Sequence, residues 1–162
     1  MGILVSDTSI LIDLERGALL DALFQLQHDF IVPDILFDRE LKGALGNHLI
    51  ALGLRVEELN PSEVSRAATV RRMRPGLSTP DAFAFALARE RTWTLLTGDG
   101  ELRTLAAQEN VTTHGVLWVF DEFHAGNIVE NARLHTGLST ISQHPRCRLP
   151  PALVAARLAQ YL

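Results

Sequence analysis

The sequence predicts an α/β fold in which short buried strands alternate with helices around a mainly parallel sheet. Three observations predict it. Short apolar runs at residues 3–5, 30–32 and 94–97 end in turn or acidic residues, as strands covered on both faces do. Between them, apolar residues recur at helical spacing. Two helix starts are spelled out by a polar cap followed by proline, at Asn60-Pro61 and Ser78-Thr79-Pro80.

The elements follow in order. Residues 3–5 form the first strand, and Asp7, Thr8 and Ser9 follow at once. A helix covers 9–15, with Gly17 as a break. A second helix covers 18–27, with Leu19, Leu20, Leu23, Phe24 and Leu26 as its buried stripe. Pro33 ends the strand at 30–32. Residues 34–45 read as one helix that contains Glu40. Its inward residues are Ile35, Leu36, Leu41 and Leu45, and Gly46 is its stop. A third strand covers 55–59. Asn60, Pro61 and Glu63 give a capping box and a helix to Met73. Ser78-Thr79-Pro80-Asp81 opens the next helix. A fourth strand at 94–97 ends in Gly98-Asp99-Gly100. Helix 102–109, a fifth strand at 111–113 and helix 115–124 complete the alternation. Residues 128–141 are helical and 144–151 a loop. Residues 152–162 are a last helix with Leu153, Leu158 and Leu162 on one side. One domain, 1–162, is expected, with 125–162 as a C-terminal helical extension packed on it.

Composition narrows the function classes. A chain of 162 residues with 47% hydrophobic content buries a full core. No run approaches the ~18 apolar residues of a membrane span, and no signal peptide is read. Cys147 is the only cysteine, which excludes an internal disulfide and fits a reducing cytoplasm. MGILVS fits a loose N-myristoylation pattern, but a buried first strand accounts for it. The net charge is −4, so any polyanion must find a local patch. Lys42 is the only lysine. Arg71, Arg72 and Arg74 are the densest basic cluster, and they also suit a solvated helix end.

The chemistry lies in Asp7, Glu40, Asp81 and Asp99. Asp7 and Asp99 each follow an apolar strand. Parallel strands place their carboxyl ends on one edge, so both acids can face one crevice. Asp81 lies in the first turn of a helix that borders the same edge, and Glu40 is in mid-helix. Grouped carboxylates repel unless a cation neutralises them, and oxygen donors suit magnesium or manganese. Singly, each acid has a plainer role. Asp7 and Asp99 suit helix caps, Asp81 a capping region, and Glu40 a solvated surface. Asp38 and Glu101 compete as neighbours.

Together the motifs resemble the PIN domain, the metal-dependent ribonuclease fold of VapC-type toxins. VSDTSILID resembles its first motif, ILFDREL the second, LSTPDAFAFALA the third and LLTGDGELR the fourth, over roughly residues 1–124. The resemblance implies a three-layer α/β/α sandwich with a central five-stranded parallel sheet. It implies Asp7, Glu40, Asp81 and Asp99 as catalytic and metal-binding residues, with Thr8, Ser9 and Thr97 in support. It implies Mg2+ or Mn2+ as cofactor, RNA as substrate and an antitoxin as partner. No membrane is involved, and a homodimer stays open.

Other chemistries lack their residues. There is no GxGxxG or Walker loop and no HExxH; His114 and His124 read as helix-flank residues, and Cys147 sits in a loop. Dehalogenase-type phosphatases need an acid where Ser9 stands. Receiver domains need a late lysine. Two readings remain beside the ribonuclease: a catalytically silent PIN-like binding module, and a metal-dependent phosphohydrolase acting on small substrates.

Overall fold

The computed structural model describes residues 2–162; Met1 of the MGILVS stretch lies outside them. Five strands form one sheet: β1 (Ile3–Ser6), β2 (Asp29–Pro33), β3 (Arg55–Glu57), β4 (Thr94–Leu96) and β5 (Thr113–His114). All pairs are parallel, in the order β3-β2-β1-β4-β5. The chain steps outward from β1 to β3, then returns to place β4 on the other side of β1. The β1/β4 boundary is therefore the switch point, where an open sheet leaves a crevice beyond its carboxyl ends.

Helices cover both faces. α5 (Pro61–Met73) packs on α6 (Thr79–Arg91), and α6 lies against β1, β2 and β4. In α6, Ala82, Ala84, Phe85, Ala86, Leu87 and Ala88 have no exposed surface. A helix wedged between a sheet and another helix must be apolar nearly all round, and AFAFALA is. A second group packs α1 (Thr8–Arg16) with α2 (Leu20–Leu23), α8 (Val116–Ala125) and α9 (Asn131–Gln143). The result is the α/β/α sandwich, with β1 buried at its centre.

Several boundaries differ from the sequence reading. The second helix shrinks to α2, because Ala18 turns the chain at φ 57° and Phe24 is only half-buried. The helix read over 34–45 is broken into α3 (Asp34–Leu36) and a π-helical turn (Phe37–Leu41). A turn at Gly43, φ 122°, then starts α4 (Ala44–Leu52). Gly46 is no stop. It lies buried within α4, where a Cβ would collide with the Leu41 carbonyl oxygen and come within 2.8 Å of the Phe37 ring. Gly53, φ 122°, ends α4 instead. The fifth strand falls at 113–114, so His114 is a strand residue, stacked on Trp118 with ring centroids 4.1 Å apart.

Between these elements, α7 spans Gly100–Gln108, and α10 spans Pro151–Gln160. The inward face of α10 is not the one read from its leucines. Leu153 and Leu162 are 49% and 91% exposed, whereas Val154 and Tyr161 are buried. Val154, Leu158 and Tyr161 keep i, i+4, i+7 spacing, the stripe a helix can bury. Arg157 adds a two-pronged bond to Asp121, at 2.9 and 2.8 Å.

The π-helical turn depends on the space that Gly46 leaves. Gly46→Ala should therefore cost about 1–3 kcal/mol by overpacking. Chemical denaturation should show it; Gly43→Ala, with open space but φ 122° and ψ −150°, should cost a comparable ~1–3 kcal/mol through backbone strain alone.

Candidate active site

The site is built at the β1/β4 switch point. Ser6 pairs with Leu96 in parallel register, so Asp7 and Thr97 leave the sheet side by side. Asp7 is 2% exposed and forms the floor. It caps α1: its Oδ1 accepts from the Ile10 N–H at 3.1 Å and from the Ser9 hydroxyl at 2.8 Å. Its Oδ2 accepts a hydrogen bond from the Thr97 hydroxyl. Thr97 Oγ1 in turn accepts from the Asp99 N–H at 3.0 Å. Asp99 caps α7, with Oδ1 accepting from the Leu102 N–H at 3.0 Å.

Asp81 and Glu40 come from the other elements. Ser78 caps α6 by accepting from the Asp81 N–H at 3.2 Å. That leaves the Asp81 carboxylate half-buried in the first turn. Arg71 braces this start, donating to Thr79 Oγ1 at 2.6 Å and to the Leu77 carbonyl at 3.3 Å. Of the basic cluster, Arg71 thus serves the α5–α6 junction, while Arg72 bonds Thr69 within α5 and Arg74 bonds Gln108. Glu40 sits on the π-helical turn at the exposed rim. Turns of that kind inside helices recur at functional sites.

The electrostatics tie the acids together. Burial pushes the Asp7 carboxyl above the usual carboxylate range, against the pull of the Thr97, Ile10, Ser9 and Gly98 hydrogen bonds. Burial also raises Asp81. The Ser78 hydroxyl partly offsets this, and the charges of Asp7 and Asp99 raise it further. Glu40 is raised by burial and by the charge of Asp81, and lowered by the Thr8 hydroxyl. Asp38 and Glu101 lie elsewhere: Asp38 lines a groove with Arg39 and Phe83, and the Glu101 carboxylate rests against Gly76. No cation offsets the group, because among the described residues no ion pair uses Asp7, Glu40, Asp81 or Asp99.

A profile for the PIN domain matches residues 3–161, so the chain belongs to the PIN-domain family. The match runs past the end of the motif resemblance, through α9 and α10. Two solved structures are similar. One is a PilT N-terminus domain protein from the archaeon Sulfolobus solfataricus P2, at 13% identity and TM-score 0.48, covering 70% of this chain and 87% of that one. The other is a toxin–antitoxin complex from Klebsiella pneumoniae, at 26% identity and TM-score 0.44, covering 59% of this chain and 86% of that one. A search of curated protein sequences gives no match.

Membership implies a divalent metal, and the donor set can be tested against it. Among the described residues, no group of three or more His, Cys, Asp or Glu side chains is placed to hold a metal ion by itself. Magnesium needs none: it keeps several waters and takes one or two carboxylates. The crevice offers hard oxygen donors and unbalanced negative charge. It also holds the buried Thr8 hydroxyl, which has no hydrogen-bond partner. These residues fit such an ion.

Charge crowding has a consequence for metal-free protein. Asp81 is ionised at neutral pH in the unfolded chain, but ionising it costs more in the fold. Its folded pKa is raised above 3.8, so stability from this group is full below that value and is lost as pH rises through the folded pKa. Asp81→Asn should therefore raise the melting temperature in EDTA at pH 7. The gain should shrink towards pH 3.5, as both states of the wild type bind the proton. Paired melts of wild type and variant across that range measure it.

Proposed function

We propose that this chain is a Mg2+- or Mn2+-dependent endoribonuclease acting as the toxin of a toxin–antitoxin pair. One arrangement carries the reading: Asp7 and Asp99 cap helices at the sheet's switch point, Asp81 lies half-buried within reach of their charge, and among the described residues Asp7, Asp81 and Asp99 form no ion pair. Family membership supports a nuclease.

Asp7, Asp81, Asp99 and Glu40 would hold the ion, directly or through its waters. When bound, such an ion supplies an activated water and charge stabilisation for in-line displacement at phosphorus. The chain's own residues do the positioning. Thr97, Ser9 and the Ile10 N–H fix both oxygens of Asp7. The capping bond engages Asp99 through Oδ1, which leaves its other oxygen for the crevice. Arg71 and Ser78 steady the turn that carries Asp81. Without metal, the same negative field would attract an arginine or lysine from an antitoxin and thereby exclude ion and RNA.

Asp99→Asn tests the reading, because asparagine caps a helix about as well as aspartate. Metal-free protein should keep its fold. An ion that binds only the folded state adds about 2.7 kcal/mol at 100 times its dissociation constant. The variant should lose most of that Mn2+-induced melting shift, together with RNA cleavage. Retained cleavage with an undiminished shift would reduce Asp99 to a cap.

A further inference from the structure

The arginines divide into two groups. Among the described residues, Arg16, Arg55, Arg66, Arg89, Arg91, Arg133 and Arg157 hold carboxylates. Arg71, Arg72, Arg74 and Arg103 hold none, and they lie together. Arg71 and Arg72 close α5, and Arg74 reaches across to α7, donating to Gln108 Oε1 at 2.7 Å. Gln108 and the exposed Arg103 line one shallow concavity with Thr104, Ala107 and Thr113, and no acid lines it. The groove beside Asp38 is its opposite, since Asp34 and Glu58 line that one too. Glu101, between Asp99 and Arg103, turns its carboxylate to Gly76.

This basic surface is continuous with the crevice. The Arg103 N–H donates to the Asp99 carbonyl at 3.0 Å, one turn into α7. Arg71 bonds Thr79, two residues before Asp81. At 1.5 Å per residue, α7 carries the surface to Gln108, about 14 Å beyond Asp99. The chain's net charge of −4 and its acidic crevice repel a polyanion, so local cations must bring one in. Guanidinium forks match phosphate oxygens two at a time. An acidic peptide would want apolar anchors, and Ala107 is the only apolar residue in the lining.

We propose that Arg74, Arg103 and the Gln108 amide form a track that holds the phosphodiester backbone of an RNA strand along α7 and leads it into the crevice. This rests on the ribonuclease reading above. The track supplies attraction and direction, and the acids take no part in it.

The test is fluorescence anisotropy of a labelled single-stranded oligouridine, with metal-free protein in EDTA, across a salt series. Each phosphate contact to a single strand adds about −0.7 to the slope of log affinity against log salt. Arg103→Gln should flatten that slope by about 0.7, and Arg74→Gln/Arg103→Gln by about 1.4, both with weaker binding. Arg74→Lys/Arg103→Lys should keep the wild-type slope, because each ammonium still neutralises a phosphate. Arg146→Gln/Arg148→Gln removes the same charge from the loop after α9 and should also keep it. In Mn2+, the glutamine variants should keep the wild-type melting shift, and any RNA cleavage should show their loss in KM. A wild-type slope in the double glutamine variant overturns the track, and so does equal flattening in the α9-loop variant or no RNA binding by the wild type. RNA cleavage by the wild type would survive any of the first two and keep the nuclease reading. Polyglutamate that displaces the RNA as effectively as unlabelled RNA does would assign the surface to an acidic protein and overturn the track as well. If the slopes respond as expected but the wild type cleaves no RNA, the track stands and the nuclease reading falls.

Discussion

A carboxylate leaves water only if the fold supplies hydrogen bonds or a countercharge in return. Asp7 receives hydrogen bonds alone. Ser9 and Ile10 supply them from the first turn of α1, and Thr97 supplies one from beyond the end of β4. This demand fixes much else. β1 and β4 must be neighbours, parallel and in register for Thr97 to reach Asp7. Because Thr97 also accepts from the Asp99 N–H, the start of α7 is set by the same side chain. One buried carboxylate therefore aligns two strand ends and two helix starts at one edge.

What could be read from the sequence is what is local. The Asn60 capping box was legible because its partners lie three residues apart, and both bonds form at 2.9 Å. Asp7 and Asp99 were legible as strand-end acids because they adjoin apolar runs, and both are also the caps that the plainer reading gave them. The capping role and the crevice position do not compete. The cap takes one oxygen of each; the second oxygen of Asp7 accepts from Thr97, and that of Asp99 is left for the crevice.

What could not be read depends on partners far along the chain. The Thr97 bond to Asp7 spans 90 residues. FDRELKG reads as continuous helix around Glu40, since nothing in it announces a π-helical turn. Gly46 reads as a stop from sequence because glycine serves both helix ends and close contacts. Only the Leu41 carbonyl and the Phe37 ring tell these apart. Along α10, Leu153, Leu158 and Leu162 suggest a face, yet their spacing fits no single helical face. Val154, Leu158 and Tyr161 do fit one, and Phe120 provides a ring for Tyr161 at 6.4 Å.

The contrast between Glu63 and Asp81 shows how fold-level charge separates like from like. Both acids occupy the first turn of a helix near a proline, behind a polar cap. Glu63 receives Arg91 on both oxygens, at 2.7 and 3.0 Å, and this pairing is the main cause of its lowered pKa. Asp81 receives no cation, and burial with two neighbouring charges raises its pKa. Local grammar is the same; the electrostatics are opposite. A chain carrying 15 basic residues could have neutralised the crevice. Its arginines instead pair with Glu57, Glu63, Glu90, Glu109 and Asp121. Charge left uncompensated where a parallel sheet opens is destabilising for the empty fold. A bound cation would recover that cost, so the missing countercharge singles out these acids as site candidates more sharply than their sequence positions do.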